Sequence, residues 1–207
     1  MGKNERSRLW KSAKLTASTC GRWKNTDKAN KLRRDKNKTK KIEKEKIKEK
    51  KKKMTSPLTA NYITEQLNCF PNFIGCIPEN ELDHLVIGTL YPCYLIVNID
   101  SGTMPGSHWI AIGIFSKSIE VFDSLGFDIF NWPRVPCSLL KFVHRLSVTR
   151  ELKVSKRLQS DQSNLCGYYC LFYIFMRKHT CMKTLLSYFG SKLLYNDSIL
   201  KQFFLYI

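Results

Sequence analysis

A histidine, an aspartate, a glutamine and a cysteine stand in the order His108, Asp123, Gln159 and Cys166 along the chain. A nucleophilic thiol needs an imidazole to carry its proton, a partner that fixes the tautomer of that ring, and donors for an oxyanion. These four side chains supply the thiol, the imidazole, an orienting carboxylate and an amide donor. The set therefore predicts covalent catalysis by a cysteine, as in thiol proteases.

The cysteine stands where a polar loop, 159–165, runs into the apolar segment 171–176. A helix that begins at this junction would place Cys166 at the positive end of its dipole, which favours the thiolate. The backbone N–H of Cys166 would be one oxyanion donor, because the first amides of a helix lack partners. The side-chain amide of Gln159 would be the other, although Gln162 in the same loop competes for that role.

The histidine and the aspartate stand at the ends of two apolar runs, 108–115 and 118–123. Only two residues separate the runs, so they are predicted to form an antiparallel hairpin. Its open end would bring His108 and Asp123 together. Taken singly, His108 could be a structural residue, Asp123 a turn residue and Gln159 a solvated loop residue. Their order, each at the edge of an element, favours a site.

The remaining pattern predicts an α+β fold, in which a small mixed, mostly antiparallel sheet packs against the central helix that carries Cys166. Ser56 and Pro57 are typical of a helix start, and the prolines and glycine of 68–80 predict an irregular loop. The predicted helices are 57–67, 138–146, 166–178, 184–189 and 197–206, and the predicted strands are 93–99, 108–115, 118–123 and 154–158.

The positive charge is concentrated at the beginning of the sequence. Of the 35 Lys or Arg residues, 22 lie in residues 1–53 and 13 in residues 54–207. Of the 17 Asp or Glu residues, 6 lie in the first segment and 11 in the second. Such a segment buries too little apolar surface to fold by itself, so we expect a basic arm, disordered or transiently helical, before a domain at 54–207. The arm is either a solubilising tail or a non-specific DNA-binding or nuclear-import segment.

The eight cysteines form no Cys-x-x-Cys pair, so we expect most of them to be small buried residues of a reducing compartment. No apolar run is long enough to span a membrane, and no secretory signal is recognised. The expected location is intracellular, in the nucleus or the cytoplasm. The predicted chemistry needs no metal ion and no organic cofactor.

Three motifs carry a resemblance to a known family. His108-Trp109, the run Val-Phe-Asp123-Ser-Leu-Gly, and Gln159 with six residues before Cys166-Gly167 resemble the adenovirus-type cysteine endopeptidases, called adenain-like, and their relatives in Maverick or Polinton transposons. The same order is similar, more distantly, to the proteases that process SUMO and other ubiquitin-like proteins. The resemblance covers about residues 57–180. It implies His108 as base, Asp123 as its partner, Gln159 as oxyanion donor and Cys166 as nucleophile.

The resemblance also implies a polypeptide substrate cleaved beside glycine, and activation by DNA or by a short peptide, for which Cys137 is a candidate attachment point. The spacing from Gln159 to Cys166 favours the adenoviral branch, in which the enzyme can be virion-associated, whereas Asp at position 123 is typical of the SUMO-processing branch. Two alternatives stay open: an isopeptidase for ubiquitin-like modifiers, and an inactive DNA-binding derivative of a mobile element.

Overall fold

The computed structural model describes residues 26–54, 56–102, 107–127 and 135–206. Contacts divide the chain into two units, Met1–Lys46 and Ile47–Ile207. Helix α1, Thr26–Lys53, has 28 residues and crosses that division. Its described side chains, from 36 to 49, are almost all exposed, as its mixture of Lys and Glu requires. The predicted division between residues 53 and 54 stays a prediction, and residues 1–25 lie outside the described part.

The second unit is built on one five-stranded sheet whose strand order follows the sequence, β1-β2-β3-β4-β5. The two outer pairs, β1 with β2 and β4 with β5, are parallel, and the two inner pairs are antiparallel. The predicted hairpin is the pair β3 and β4. The strands are β1 Phe73–Pro78, β2 Cys93–Asn98, β3 Trp109–Ile114, β4 Ser118–Phe122 and β5 Glu151–Val154.

Helices cover both faces of the sheet, and the alternation of side chains along β3 shows how. Trp109 and Ala111 belong to the hydrophobic cluster that contains the helix beginning at Cys166, whereas Ile110, Ile112 and Ile114 belong to the cluster on the other face. The predicted α+β fold, with a mixed sheet against a central helix, is confirmed. The helices are α2 Ala60–Leu67, a 3₁₀ turn Glu79–His84, α3 Cys137–Ser147, α4 Cys166–Arg177, α5 Met182–Leu186 and α6 Leu193–Tyr206.

The predicted elements differ from the observed ones in several places, and the last two helices, predicted at 184–189 and 197–206, are Met182–Leu186 and Leu193–Tyr206. Strand β1 lies where an irregular loop was expected, because an edge strand tolerates the register shift between Phe73 and Gly75 and a proline at its end. Helix α2 is capped by Thr59, whose side chain accepts from the N–H of Tyr62, so the predicted start at Ser56 and Pro57 is wrong. The edge strand β5 overlaps the predicted strand 154–158 only at Val154, so that prediction is wrong for 155–158.

A buried ion pair joins α4 to the sheet. Both carboxylate oxygens of Glu120 on β4 accept from the guanidinium of Arg177, at 2.7 and 3.0 Å, and the hydroxyl of Tyr173 donates to the same carboxylate at 2.8 Å. Gly113 makes room for this contact, since a Cβ there would lie 2.3 Å from the Tyr173 hydroxyl oxygen. The C-terminal half of α4 is therefore held in one position on the sheet. Within the described residues, no helix is both long and apolar enough to cross a membrane.

Replacing Arg177 with alanine should destabilise the fold by about 3–5 kcal/mol, because it leaves the Glu120 carboxylate buried without its cation. The measurement is the free energy of unfolding in urea. Lys178→Ala is the matched control, since Lys178 is the next residue and is exposed. Equal stabilities of the two variants would contradict a stabilising role for the ion pair.

Residues 54–207 should fold without the arm. Met54 is 4% exposed and belongs to the hydrophobic cluster around α4. In contrast, all but one of the described side chains from 36 to 49 are exposed, so they add little to the hydrophobic core. We expect the truncated chain to unfold in one cooperative transition with a midpoint close to that of the full chain. A broad, non-cooperative transition of the truncated chain in urea would show that the arm is part of the folding unit.

Candidate active site

The hairpin brings His108 and Asp123 into direct contact. His108 precedes β3 and Asp123 follows β4, and because these strands are antiparallel, both residues lie at the same edge of the sheet. The Nε2 atom of His108 lies 2.7 Å from Oδ1 of Asp123. The two residues are 4% and 2% exposed, so the contact is shielded from water.

The carboxylate of Asp123 is held in place from its own turn. Oδ1 also accepts from the N–H of Leu125, and Oδ2 accepts from the N–H of Phe127, both at 2.9 Å. The hydroxyl of Ser155 accepts from the backbone N–H of Asp123 at 2.8 Å and donates to its carbonyl at 2.7 Å. The aspartate therefore has little freedom to turn away from the imidazole.

Gly126 lets this turn pack directly on the segment that leads to Gln159. Its φ is 65°, a left-handed conformation that side chains disfavour. A Cβ at this position would lie only 2.4 Å from the backbone nitrogen of Arg157. A side chain here would thus separate the aspartate turn from the segment that carries Gln159.

The pKa of His108 depends on its burial, its hydrogen bonds and the charges beside it. Burial lowers its pKa, but hydrogen bonds with Asp123 and with the thiol of Cys166, together with their charges, outweigh burial and raise it to about 9. The ring is therefore cationic at neutral pH. Its Nδ1 atom is buried and has no partner of ordinary hydrogen-bond geometry among the described residues. Since Nε2 faces Asp123, Nδ1 is the ring atom left for Cys166.

Cys166 is the first residue of α4 and is 7% exposed. Leu165 caps the helix without a side-chain hydrogen bond, so no capping side chain occupies the first amides of α4. The contrast with Cys170, one turn further on, is informative. Cys170 is fully buried, its sulfur lies 3.4 Å from the carbonyl oxygen of Trp109, and burial raises the pKa of its thiol. Of these two thiols, Cys166 is the one that interacts with the imidazole of His108 and raises its pKa.

The structure separates the two candidate glutamines. Gln159 is 2% exposed; its Oε1 accepts from the hydroxyl of Ser124 at 2.6 Å, and its Nε2 donates to the carbonyl of Ser163 at 2.6 Å. Gln162 is exposed, and only its backbone N–H contacts the loop, at the hydroxyl of Ser160. A fixed, buried amide suits an oxyanion donor better than a solvated one, which favours Gln159.

Sequence reasoning missed the residues that hold the loop before Cys166. The carbonyl of Leu158 accepts from the side-chain amide of Asn196 at 3.0 Å. The hydroxyl of Tyr169 donates to Asp197 at 2.9 Å, and its oxygen lies 3.3 Å from the same Leu158 carbonyl. Asn196 and Asp197 are buried on α6. Two adjacent polar residues within an otherwise apolar segment are the sequence feature that could have indicated a buried hydrogen-bonding role.

A groove of about 420 Å³ lies beside Trp109, the residue after His108. The indole N–H of Trp109 donates to the carbonyl of Leu58 at 3.0 Å, and Leu58 also lies against Gly167, the residue after Cys166. The groove is therefore next to both halves of the candidate site. Its lining residues are Pro57, Leu58, Thr59, Ala60, Cys76, Pro78, Glu81, Asn98, Gly102 and Trp109.

The other cysteines and histidines lie apart from this arrangement. Within the described part of the chain, all seven cysteines are free and no cluster of His, Cys, Asp and Glu could hold a metal ion. Only three of the seven described cysteines are buried, so the expectation that most of them are buried is wrong; Cys69, Cys137 and Cys181 are exposed. Three further histidines are also exposed: His84, His144 and His179.

Part of the chain is similar in sequence to a viral protease. No protein-family model matches the chain. A stretch of 88 residues is 36% identical to the cysteine protease S273R of African swine fever virus, covering 38% of this chain and 31% of the viral protein. The chain thus spans about a third of the length of that relative.

Two solved structures extend the comparison. The crystal structure of the African swine fever virus protease superposes with a TM-score of 0.52 and 20% identity, over 73% of this chain and 67% of that one. ChlaDub1 from Chlamydia trachomatis matches with a TM-score of 0.47 and 12% identity, over 73% and 90%. The chain therefore has the fold of the viral cysteine protease, and a segment of its sequence is similar to the same viral protein.

The titration of His108 tests the geometry of the site. Its ring-proton resonance, assigned by its loss in His108→Gln, should titrate with a midpoint near pH 9. In Asp123→Asn, which removes the negative charge at nearly constant shape, burial should dominate and the midpoint should fall below that of the unmodified chain. A midpoint unchanged by Asp123→Asn would show that the carboxylate does not hold the imidazolium.

The raised pKa of His108 also makes the free energy of unfolding depend on pH. The folded protein holds the His108 proton up to about pH 9, whereas the unfolded chain loses it near 6.5. The contribution is therefore complete below pH 6.5 and is lost as the pH rises to about 9. The free energy of unfolding of the unmodified chain, minus that of Asp123→Asn, should decrease across this range.

Proposed function

We propose that this protein is a cysteine endopeptidase of the adenain-like and ubiquitin-like-protease type, with Cys166 as nucleophile, His108 as general acid and base, Asp123 as the partner of His108, and Gln159 as an oxyanion donor. One observation carries the proposal. It is the buried His108–Asp123 pair, whose imidazole interacts with the thiol of Cys166, the first residue of α4.

The chemistry follows from these positions. The Cys166 sulfur, as thiolate beside the His108 imidazolium, attacks the carbonyl carbon of a peptide bond. The negative charge on the carbonyl oxygen is stabilised by the N–H of Cys166 and the side-chain N–H of Gln159. His108 gives its proton to the leaving amine, which releases the first product and leaves a thioester. Water then loses a proton to His108, attacks the thioester and releases the second product.

The proposed substrate is an extended polypeptide with glycine beside the cleaved bond. The groove next to Trp109 has room for part of such a chain, and the burial of His108 and Cys166 leaves little space for a bulky residue at the reacting carbonyl. We favour viral or transposon structural precursors over modifier proteins, because the similar curated protein is a viral cysteine protease. Nucleophilic catalysis by a thiol of this kind requires neither a metal ion nor an organic cofactor.

We also propose that the basic arm binds a second partner, DNA. The described part of α1 presents Lys side chains on an exposed helix, and such a charge density binds nucleic acid without sequence preference. DNA held by the arm would concentrate the enzyme on DNA-bound precursors. The exposed thiol of Cys137 is available to a peptide activator, as in the adenoviral enzymes. Both partners fit an enzyme that acts in the nucleus, the cytoplasm or the virion.

The test is the hydrolysis of glycine-containing peptides by the full chain, by residues 54–207, by Cys166→Ala and by Gln159→Ala, each with and without duplex DNA. We expect no cleavage by Cys166→Ala. Gln159→Ala should lower kcat by about 10²–10³ with little change in KM, because an oxyanion donor acts mainly in the transition state. Cys170→Ala is the matched control and should retain the activity of the unmodified chain.

The two alternatives, a modifier protease and an inactive DNA-binding derivative, predict different results of this experiment. Cleavage of ubiquitin-like modifier fusions in preference to capsid-like precursors would identify a modifier protease instead. Salt-dependent DNA binding without cleavage, and without reaction of Cys166 with iodoacetamide at neutral pH, would identify an inactive DNA-binding derivative. Stimulation by DNA of the full chain, but not of residues 54–207, would assign that effect to the arm.

A further inference from the structure

We propose that Ser124 is a positioning residue for the oxyanion donor: its hydroxyl fixes the amide of Gln159 so that one Nε2 hydrogen is directed to the reacting carbonyl. This inference rests on the proposed function. Ser124 follows Asp123 directly, is 0% exposed, and its Oγ lies 2.6 Å from Oε1 of Gln159.

The orientation of the Gln159 amide follows from its two contacts. The carbonyl of Ser163 can only accept a hydrogen bond, so the atom 2.6 Å from it must be Nε2 and not Oε1. Oε1 then points to Ser124, whose hydroxyl must donate. One Nε2 hydrogen is used by Ser163, and the other is left uncommitted among the described residues. The amide is therefore held at both ends with one free donor.

The backbone of Ser124 makes this support rigid. Its carbonyl accepts from the N–H of Leu158 and from the N–H of Gln159, both at 2.8 Å. Ser124 thus holds the backbone and the side chain of Gln159 at the same time. Rotation of the glutamine amide would break the contact with Ser124 or the contact with Ser163. Loss of the Ser124 contact would leave a buried hydroxyl and a buried amide oxygen unpaired, which costs free energy.

The position of Ser124 in the sequence links the two halves of the site. Asp123 orients the imidazole, and the next residue orients the amide. One turn, closed by Gly126 against the Arg157 backbone, therefore sets the base and the oxyanion donor relative to each other. Movement of this turn would displace both groups together.

A purely structural role for Ser124 makes different predictions. If Ser124 only stabilised the fold, Ser124→Ala would lower the unfolding temperature and leave kcat of the folded fraction unchanged. If it positions Gln159, kcat falls while the protein remains folded. The reaction of Cys166 with iodoacetamide separates the two halves of the site, because alkylation needs the thiolate and His108 but no oxyanion donor.

The experiment measures peptide hydrolysis, alkylation and thermal unfolding of the full chain, Ser124→Ala, Gln159→Ala and the double variant. We expect Ser124→Ala to lower kcat about tenfold with KM and the alkylation rate unchanged, as expected for a loosened donor. In the Gln159→Ala background, Ser124→Ala should have no further effect, because the group it positions is gone. Ser138→Ala, which removes another buried serine hydroxyl, one that donates to Glu79 and contacts no residue of the proposed site, should leave kcat unchanged.

The failures of the two proposals are distinguishable. An unmodified chain that neither cleaves peptides nor reacts with iodoacetamide overturns the proposed function itself. An active unmodified chain with a fully active Ser124→Ala variant, or with losses that multiply in the double variant, overturns only the role of Ser124. If Ser124→Ala does not fold, Ser124→Cys tests the same point, since a thiol is a weaker donor of similar size. It should lower kcat relative to the unmodified chain with KM unchanged, and a fully active Ser124→Cys variant would overturn the role of Ser124.

Discussion

The hydrogen bond between His108 and Asp123 is the contact on which the arrangement of this site depends. It joins residues outside the ends of two adjacent strands, it is buried, and it decides which ring nitrogen remains for Cys166. A buried imidazole would otherwise be neutral, because burial alone disfavours the cation. The carboxylate reverses that preference. An imidazolium beside a thiol at a helix start is the electrostatic condition for a reactive cysteine.

The rest of the fold keeps that contact in place. The aspartate is fixed by the amides of its own turn and by Ser155, and the helix that carries Cys166 is fixed by the ion pair of Glu120 with Arg177. These supports come from different segments of the chain. The site is therefore held by the sheet, by α4 and by α6 together, and no single loop defines it.

Much of this arrangement could be predicted from the sequence where one periodicity dominates. The hairpin of β3 and β4 and the helix after Cys166 are long apolar runs with clear ends, and the residues at those ends are the ones that meet. Strand β1 could not be predicted, because its Gly75 and Pro78 are typical of loops and only pairing with β2 makes it a strand. The hydroxyl of Ser124 could not be assigned either, since its partner is 35 residues away and a serine before Leu-Gly is typical of any turn.

The hydrogen bond from Asn196 to the carbonyl of Leu158 has a consequence for the order in which the protein becomes active during synthesis. The ribosome makes His108, Asp123 and Cys166 well before it makes Asn196. Until α6 docks, the segment that leads to Gln159 lacks this support, and long-range contacts of this kind form late in folding. The proposed active site therefore lacks one of its supports until α6 has been made.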